Sequence, residues 1–314
     1  MQGIDLAANN FLAALSQVNT RINAASNQVS SGLRVSKVSD DPSAVSDILE
    51  TRAQIAQTDR VVSNLSSVTA ETNTAEQALE SAVMMLQNVN QLGAQGSTGT
   101  QTPAQRQVVG QQIGSILDEL VEVAATRCNG RYLFSGDSDQ TAPYTLDAHQ
   151  PNGVSVYAGA PATRQVMDAS GTLMPISQSA QDIFDNAAPG SNVFAAVNAL
   201  QTALANGPAT NDPNYQADYD AQTAAIDTAM TSLSTATDHL NSSLSFYGEV
   251  QDRISSATDS ANNLQLTQQT GLSNLQDADI ATAATDLTQA ETQQQAMMAA
   301  EAQLPKKPLF DYLG

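Results

Sequence analysis

The 314-residue chain contains no tryptophan, one cysteine and few aromatic side chains. Aromatic residues make up 4% of the sequence, so we expect no large aromatic-rich globular core. The single cysteine, Cys128, can form neither an intramolecular disulfide nor a cysteine metal cluster. No run of about 18 apolar residues is present, so the sequence predicts no membrane span.

Basic residues are also scarce. The chain carries 12 Lys and Arg against 32 Asp and Glu, for a formal net charge of −20. Such a surface repels phosphate groups, so we expect no nucleic-acid partner and no binding to anionic membranes. The first residues, "MQGIDLAANNFLAAL", lack the basic and apolar regions of a Sec signal peptide. Export, if it occurs, is therefore expected to use another route.

Apolar residues recur every three or four positions along most of the chain. Similar periods run through residues 55–86, 109–123 and 226–254. A sustained seven-residue repeat keeps one seam of a helix facing a partner helix. The sequence therefore predicts a mainly α fold, a long antiparallel, coiled-coil-like helical bundle built from both chain ends. The seam positions of the first and last segments are Phe11, Leu15, Val18, Ile22, Ala25 and Val29, and Ile280, Ala283, Leu287, Ala290, Met297 and Leu304.

The two ends of the chain carry unusually little charge. Between Met1 and Leu33, only Asp5 and Arg21 have charged side chains, whereas an exposed helix normally presents a charged face. We therefore expect ends that are marginally stable alone and packed on several sides after assembly. The assembly interface predicted from these seams comprises Phe11, Leu15, Val18, Ile22, Val29, Ile280, Leu287, Met297 and Leu304.

A sharp break separates the first helical segment from the second, in the stretch "SSGLRVSKVSDDPSA". Gly32 can supply the left-handed residue that ends a helix. Asp41 and Pro42 supply an N-cap and a proline suited to the first turn of the next helix. These three residues predict a structural joint between two helices.

The helical period disappears between residues 135 and 192, where Gly, Pro, Asp and Ser are frequent. Short alternating runs predict strands at 154–157, 163–168 and 172–177, the last two joined by a turn at "ASG". We expect a small inserted β-rich lobe. The predicted domains are an N-terminal assembly helix and joint (1–40), an N-terminal arm (41–134), the lobe (135–192), a C-terminal arm (193–269) and a C-terminal assembly helix (270–314).

Residues capable of catalysis or metal binding are few and scattered. His239 follows Asp238, but adjacent residues on a helix do not face each other. Asp137 and Asp139 lack the spacing and terminal Glu of a calcium loop. No phosphate loop, dinucleotide fingerprint or nucleophile elbow is present. We therefore expect no enzyme activity, no catalytic or metal-binding residues and no cofactor.

Three motifs carry a resemblance to the bacterial flagellin family. "SSGLRVSKVSDDPSAVSDIL" resembles the segment that family members share after their first terminal helix. "NGRYLFSG" (129–136), followed by "AQDIF" (180–184), resembles the members that join hook and filament more than filament flagellin. "PLFDYLG" (308–314) is similar to the short aromatic-apolar stretch at the family's C-terminus, which adds Leu309 and Phe310 to the expected assembly interface.

The resemblance implies a structural protein of the bacterial flagellum that self-associates into a ring at the hook–filament junction. Implied partners are another hook-associated junction protein, flagellin, and an export chaperone that binds the C-terminal region. Implied localisation is extracellular, after export through the flagellar type III apparatus. The main alternative is flagellin, the filament-forming subunit itself. A binding or adhesive module would need clustered aromatic or charged groups, and the lobe offers only Tyr144, Tyr157 and scattered Asp.

Overall fold

The computed structural model describes residues 2–161, 163–208 and 213–303, with the backbone alone for residues 2–8 and 303. Helices dominate this part of the chain, which confirms the predicted mainly α fold built from both chain ends. None of the described helices combines the length and apolarity needed to cross a membrane. The helices are α1 (Gln2–Ser31), α2 (Pro42–Ser97), α3 (Pro103–Ala124), α4 (Ala180–Phe184), α5 (Val193–Ala205), α6 (Tyr215–Gln276) and α7 (Ile280–Gln303).

The chain divides into two compact units. The end unit combines the chain up to Gln57 with the chain from Leu264 onward, and the central unit is Thr58–Asn263. Both boundaries lie inside long helices, α2 and α6, rather than at the helix break near residue 40. The reason is that the first turns of α2 pack with the joint. An apolar cluster of the end unit contains Val35, Ala44, Ile48, Leu272 and Leu275.

The core of the central unit is built from the periodic apolar residues of its helices, together with most of the chain's few aromatic rings. Phe134 lies edge-on to Phe184 and to Tyr247, and Phe194 stacks on Phe184 at a ring-centroid distance of 5.5 Å. These aromatic side chains therefore form one cluster within the helical core of the central unit. Fully buried aliphatic residues around them include Leu79, Leu86, Ile113, Leu120, Leu233 and Leu240.

Two small hairpins follow α3. The first pairs β1 (Arg127–Cys128) with β2 (Arg131–Tyr132) across Asn129 and Gly130, whose φ values are 52° and 79°. This hairpin was not predicted, although Asn-Gly is a strong hairpin signal. The second pairs β3 (Gln165–Met167) with β4 (Leu173–Pro175), which confirms the hairpin predicted through "ASG". Its inward side chains pack against α2 and α6 in a cluster that includes Leu65, Val166, Met174, Val250 and Ile254.

The strand predicted at 154–157 is wrong. Only Val154 in this segment forms a bridge, with Leu146, through hydrogen bonds from Asp147 N–H to Gly153 O at 2.9 Å and from Ser155 N–H to Thr145 O at 2.8 Å. Tyr144 and Val154 instead bury their side chains in the helical core. Side-chain burial together with a single bridge, rather than an extended strand, therefore fixes this part of the lobe.

Helix α5 approaches α3 closely because α3 has glycine at the contact. A Cβ atom at Gly110 would lie 3.1 Å from the Gln201 carbonyl oxygen and 3.3 Å from Leu204 Cβ. We expect Gly110→Val to destabilise the protein by about 1–3 kcal/mol, because the added methyl groups overpack this contact. Thermal unfolding followed by circular dichroism measures the change.

Gly248 in α6 is the matched control. A Cβ atom there meets nothing within 4 Å, so Gly248→Ala is expected to stabilise by about 0.5–1 kcal/mol through helix propensity. Equal melting temperatures for Gly110→Val and the wild type would contradict the close α3–α5 contact.

Candidate assembly site at the chain ends

Helices α1 and α7 pack against each other along a narrow seam. Contacts run from Gly32 and Ala278 at one end to Asn19 and Gln294 further along, so the helices are antiparallel. The buried seam residues are small, with exposed fractions that never exceed 8%: Val18 8%, Ala25 6%, Ala283 2% and Ala290 0%. The pair therefore buries little apolar area within a single chain.

The larger residues predicted for the assembly interface lie at the edges of this seam. Val29 and Ile280 keep 36% and 46% of their surface exposed, so they are outside the buried seam of the single chain. One partner helix covers only a stripe of each helix surface, which explains their exposure. Leu304, Leu309 and Phe310 lie outside the described residues. The half-buried members are Phe11, Leu15, Ile22, Leu287 and Met297.

Each helix also has a large apolar side chain that is exposed outside the seam. Leu12 on α1 is 59% exposed and Met298 on α7 is 57% exposed. Polar contacts across the pair are few and exposed: Arg21 Nη1 donates to Gln293 Oε1 at 3.1 Å, and Gln294 Nε2 donates to Asn19 Oδ1 at 2.7 Å. Extended apolar surface on a soluble protein marks an interaction site. The α1–α7 pair is thus the candidate assembly site.

The joint includes the helix breaks at both ends of the chain, and its N-terminal half connects α1 to α2. Gly32 adopts φ +74° and donates its N–H to Gln28 O at 2.9 Å, which ends α1. Pro42 is the first residue of α2. Asp41 Oδ1 accepts hydrogen bonds from the Ser43 hydroxyl at 2.6 Å and the Ala44 N–H at 3.2 Å. Asp41 is therefore the N-cap of α2.

The C-terminal half of the joint connects α6 to α7 through three residues. Asp279 Oδ1 accepts from the N–H groups of Ala281 at 2.9 Å and Thr282 at 3.2 Å, so it caps the start of α7. Hydrogen bonds from the Thr282 N–H, the Thr282 hydroxyl and the Ala281 N–H lower the pKa of Asp279. Each chain end thus has a helix break with an aspartate cap on the following helix.

The two breaks are bonded to each other. Arg34 Nη2 donates to Leu275 O at 2.6 Å, and Arg34 Nη1 donates to Asp41 Oδ2 at 3.0 Å. The N–H groups of Arg34 and Val35 both donate to Gln276 O, at 2.7 and 3.2 Å. Ala278 N–H donates to Gly32 O at 2.9 Å. We call this set the clasp, comprising Gly32, Arg34, Val35, Asp41, Leu275, Gln276 and Ala278.

Arg34 was absent from the predicted site residues. It lies in a helix break that had been recognised, but its partner Leu275 is 241 positions away in the sequence. The last carbonyl groups of any helix lack donors within that helix. An arginine beside one helix break, in a chain with a second break near its other end, is the signal that could have indicated such a bond.

Acid is expected to weaken the joint. Hydrogen bonds from the Ser43 hydroxyl, Arg34 and the Ala44 N–H lower the pKa of Asp41 from 3.8 to about 2. A carboxylate whose pKa is depressed in the folded state stabilises that state above the unfolded pKa. This contribution is therefore present above pH 3.8 and is lost as the pH falls through about 2. Amide exchange at Val35 and Ala44 across pH 5 to 2 (roughly the window of this linkage) measures the effect.

Asp41→Asn provides the comparison for this titration, because the amide keeps an acceptor oxygen and cannot titrate. Asp40 and Asp279 also have lowered pKa values, so the variant should show a smaller acid response rather than none. An identical acid response in Asp41→Asn and the wild type would contradict the role of Asp41.

The histidines and the cysteine have structural contacts. The His239 ring nitrogen Nε2 lies 2.7 Å from the Asp182 carbonyl oxygen, which links α6 to α4. His149 is exposed beside Asp147. Cys128 is a free, partly buried thiol with the Thr74 hydroxyl at 4.0 Å. Within the described ranges, no group of three or more His, Cys, Asp or Glu side chains is arranged to hold a metal ion.

Both chain ends match family models. Residues 5–139 match the bacterial flagellin N-terminal helical region, and residues 223–313 match the bacterial flagellin C-terminal helical region. The two matches together span more than two thirds of the chain and include α1, α7 and both halves of the joint. The family predicted from the motifs is thereby confirmed.

Curated relatives include two kinds of flagellar protein. Flagellar hook-associated protein 3 of Escherichia coli is 28% identical over 201 residues, which cover 59% of this chain and 62% of that protein. Flagellin of Bacillus subtilis is 30% identical over 168 residues, covering 52% of this chain and 53% of the relative. The matched part of the chain thus spans less than two thirds of the length of these relatives. Both are named as flagellar components.

Solved structures share the fold. Flagellar hook-associated protein 3 of Legionella pneumophila superposes with a TM-score of 0.63 at 15% identity, covering 73% of this chain and 98% of that one. FlgL of Xanthomonas campestris superposes with a TM-score of 0.59 at 17% identity, covering 72% and 99%. These structures share the helical fold and the family models match both terminal regions, so the chain belongs to the bacterial flagellin family.

Proposed function

We propose that this chain is a structural subunit of the bacterial flagellum that self-associates into a ring between hook and filament. The observation that carries the proposal is the incomplete packing of the α1–α7 pair. Its buried seam contains only small residues, while Phe11, Leu15 and Leu287 are half-covered and Leu12 and Met298 are exposed. Neighbouring subunits would cover this apolar surface. Subunits joined through heterologous surfaces form closed rings or open helices.

Two observations favour a junction subunit over a filament subunit. The match to the Escherichia coli hook-associated protein covers 59% of the chain, against 52% for the Bacillus subtilis flagellin. The motif "NGRYLFSG" (129–136), which resembles the members that join hook and filament, supplies the turn and β2 of the first hairpin and continues into the buried Leu133 and Phe134 of the central core. Flagellin remains the second candidate, because the Bacillus subtilis flagellin has the higher identity to this chain, 30% against 28% for the Escherichia coli protein.

The proposal assigns roles along the chain. Residues 1–40 and 270–314 would contact neighbouring copies, residues 41–134 and 193–269 would form the helical arms, and residues 135–192 would form an outer lobe. Contacts would be made with another hook-associated junction protein on the hook side and with flagellin on the filament side. Export would use the flagellar type III apparatus without a Sec signal, with a chaperone on the C-terminal region. The location would be extracellular.

Seeded growth of the purified chain distinguishes the two candidates. We expect no long filaments from the full chain, alone or with sheared flagellar filaments as seeds, when samples are viewed by negative-stain electron microscopy. Filament flagellin with the same seeds is the positive control. Long filaments of this chain would identify it as a filament subunit and overturn the junction proposal.

A further inference from the structure

We infer that the clasp sets the register in which α1 and α7 pair, with Arg34 as its positioning residue. The inference deepens the proposed function, because a ring subunit must present its terminal helices in one alignment. The register itself is a property of the single chain. It can therefore be tested separately from assembly.

The seam of the pair specifies register poorly. Val18 and Ala25 are seven residues apart on α1, and Ala283 and Ala290 are seven residues apart on α7. A slip of one heptad would therefore place Ala283 where Ala290 packs and would bury nearly the same groups. Helix pairs acquire a unique register from contrasts of size or from polar groups at the seam. At these four buried positions the contrast is limited to one valine, Val18, against three alanines.

The clasp supplies the missing constraint. Ala278 is bonded to Gly32, and only Asp279 separates it from Ile280, the first residue of α7. A heptad slip moves one helix by about 10 Å along the other. One connecting residue spans at most about 3.6 Å. While the hydrogen bonds of the clasp are formed, the end of α1 and the start of α7 are therefore held next to each other. The two helices can then pair only in the observed register.

Arg34 joins both sides of the clasp with one side chain. Its two terminal nitrogens bind different partners, the Leu275 carbonyl at the end of α6 and the Asp41 carboxylate at the start of α2. The Leu275 carbonyl belongs to the last turn of α6, where carbonyl groups lack helical donors. A guanidinium holds its two terminal nitrogens in a fixed planar arrangement and can bind both partners at once, whereas an ammonium is a single point charge. Arg34→Lys should therefore preserve the register only partly.

Thiol cross-linking of the free, full-length chain measures the register. In a Cys128→Ser background, Asn19→Cys with Gln294→Cys reports the observed alignment, since these side chains are in contact. Leu12→Cys and Ser26→Cys, each with Gln294→Cys, report slips of one heptad in either direction. A short bifunctional thiol reagent traps each pair, even when it forms transiently. We expect only the first pair to cross-link when Arg34 is present.

Removing Arg34 should redistribute the cross-links. In Arg34→Ala, we expect the ratio of slipped to native cross-links to rise about tenfold, with an intermediate rise in Arg34→Lys. Arg21→Ala is the matched control, because Arg21 bonds to Gln293 within the pair and lies outside the clasp. This control should keep the wild-type pattern.

Two outcomes would overturn the inference. Arg34→Ala could retain the native cross-link alone, which would show that the seam sets the register. It could also lose all cross-links, which would show that the clasp is needed for pairing rather than for alignment. Growth of long filaments in the seeding experiment would reject the junction proposal and leave the cross-linking result unaffected.

Discussion

Ala290→Leu is expected to prevent stable pairing of α1 with α7. Ala290 is fully buried in a seam whose other buried members are Val18, Ala25 and Ala283. A leucine there adds three carbon atoms to a close contact, and such overpacking costs about 1–3 kcal/mol. The two hydrogen bonds across the pair, from Arg21 to Gln293 and from Gln294 to Asn19, are exposed and contribute only about 0.5–1.5 kcal/mol each, so the overpacking cost is comparable to the polar stabilisation of the pair. Amide exchange followed by mass spectrometry should show faster exchange throughout α1 and α7 of the free chain.

Ala296→Leu serves as the matched control, because Ala296 lies on the same helix and is exposed. Its exchange should resemble the wild type, and peptides of the central unit should be unchanged in both variants. Wild-type protection of α1 in Ala290→Leu would contradict the packing of the seam described above. Loss of pairing should also prevent Ala290→Leu from adding to hooks.

Arg106→Ala is expected to destabilise the central unit by about 3–5 kcal/mol, because it removes a large buried side chain and leaves its polar partners without a donor, at about 1–3 kcal/mol for each unsatisfied group. Arg106 on α3 has no exposed surface. Its Nη1 donates to Gln222 Oε1 at 2.9 Å, and its Nη2 donates to the Tyr219 hydroxyl at 2.8 Å. Gln222 in turn donates to the carbonyl groups of Ala203 and Leu204 at the end of α5. The guanidinium therefore links α3 to α6 directly and to α5 through Gln222.

Thermal unfolding provides the measurement. A domain of this size loses roughly 2–4 °C of melting temperature for each kcal/mol, so we expect a fall of roughly 10 °C. Arg253→Ala is the control, because Arg253 is exposed and surface substitutions usually change stability by less than about 0.5 kcal/mol. Arg106→Met should lose less than Arg106→Ala, since it fills the space without requiring the same hydrogen bonds. A wild-type melting temperature for Arg106→Ala would contradict the proposed linkage.

Local patterns predicted the long helices well, because helical periodicity is written into residues three and four positions apart. The same periodicity also places Arg106 at a seam position, which indicates that its side chain is buried. Arg106 lies three residues before Val109, on the register that continues through Ile113 and Ile116. A charged residue at a seam position indicates either a gap in the seam or a buried polar network. Here it is a buried network.

Features that depend on distant residues were predicted less well. The clasp joins Arg34 to Leu275, and no local pattern identifies partners so far apart in the sequence. The run at 154–157 alternates as a strand does, yet Val154 is held by burial in the helical core. The β1–β2 hairpin carried a local Asn-Gly signal, but it directly follows a helical period and its residues were predicted as part of the N-terminal arm, 41–134.

The proposed junction role is tested most directly on isolated hooks. Hooks already capped by the partner junction protein would be mixed with the purified full chain and viewed by electron microscopy. The predicted result is one short added layer that stops growing until flagellin is supplied, after which a filament extends from it. Failure of the chain to add to capped hooks, or continuous growth of the chain without flagellin, would contradict the junction role.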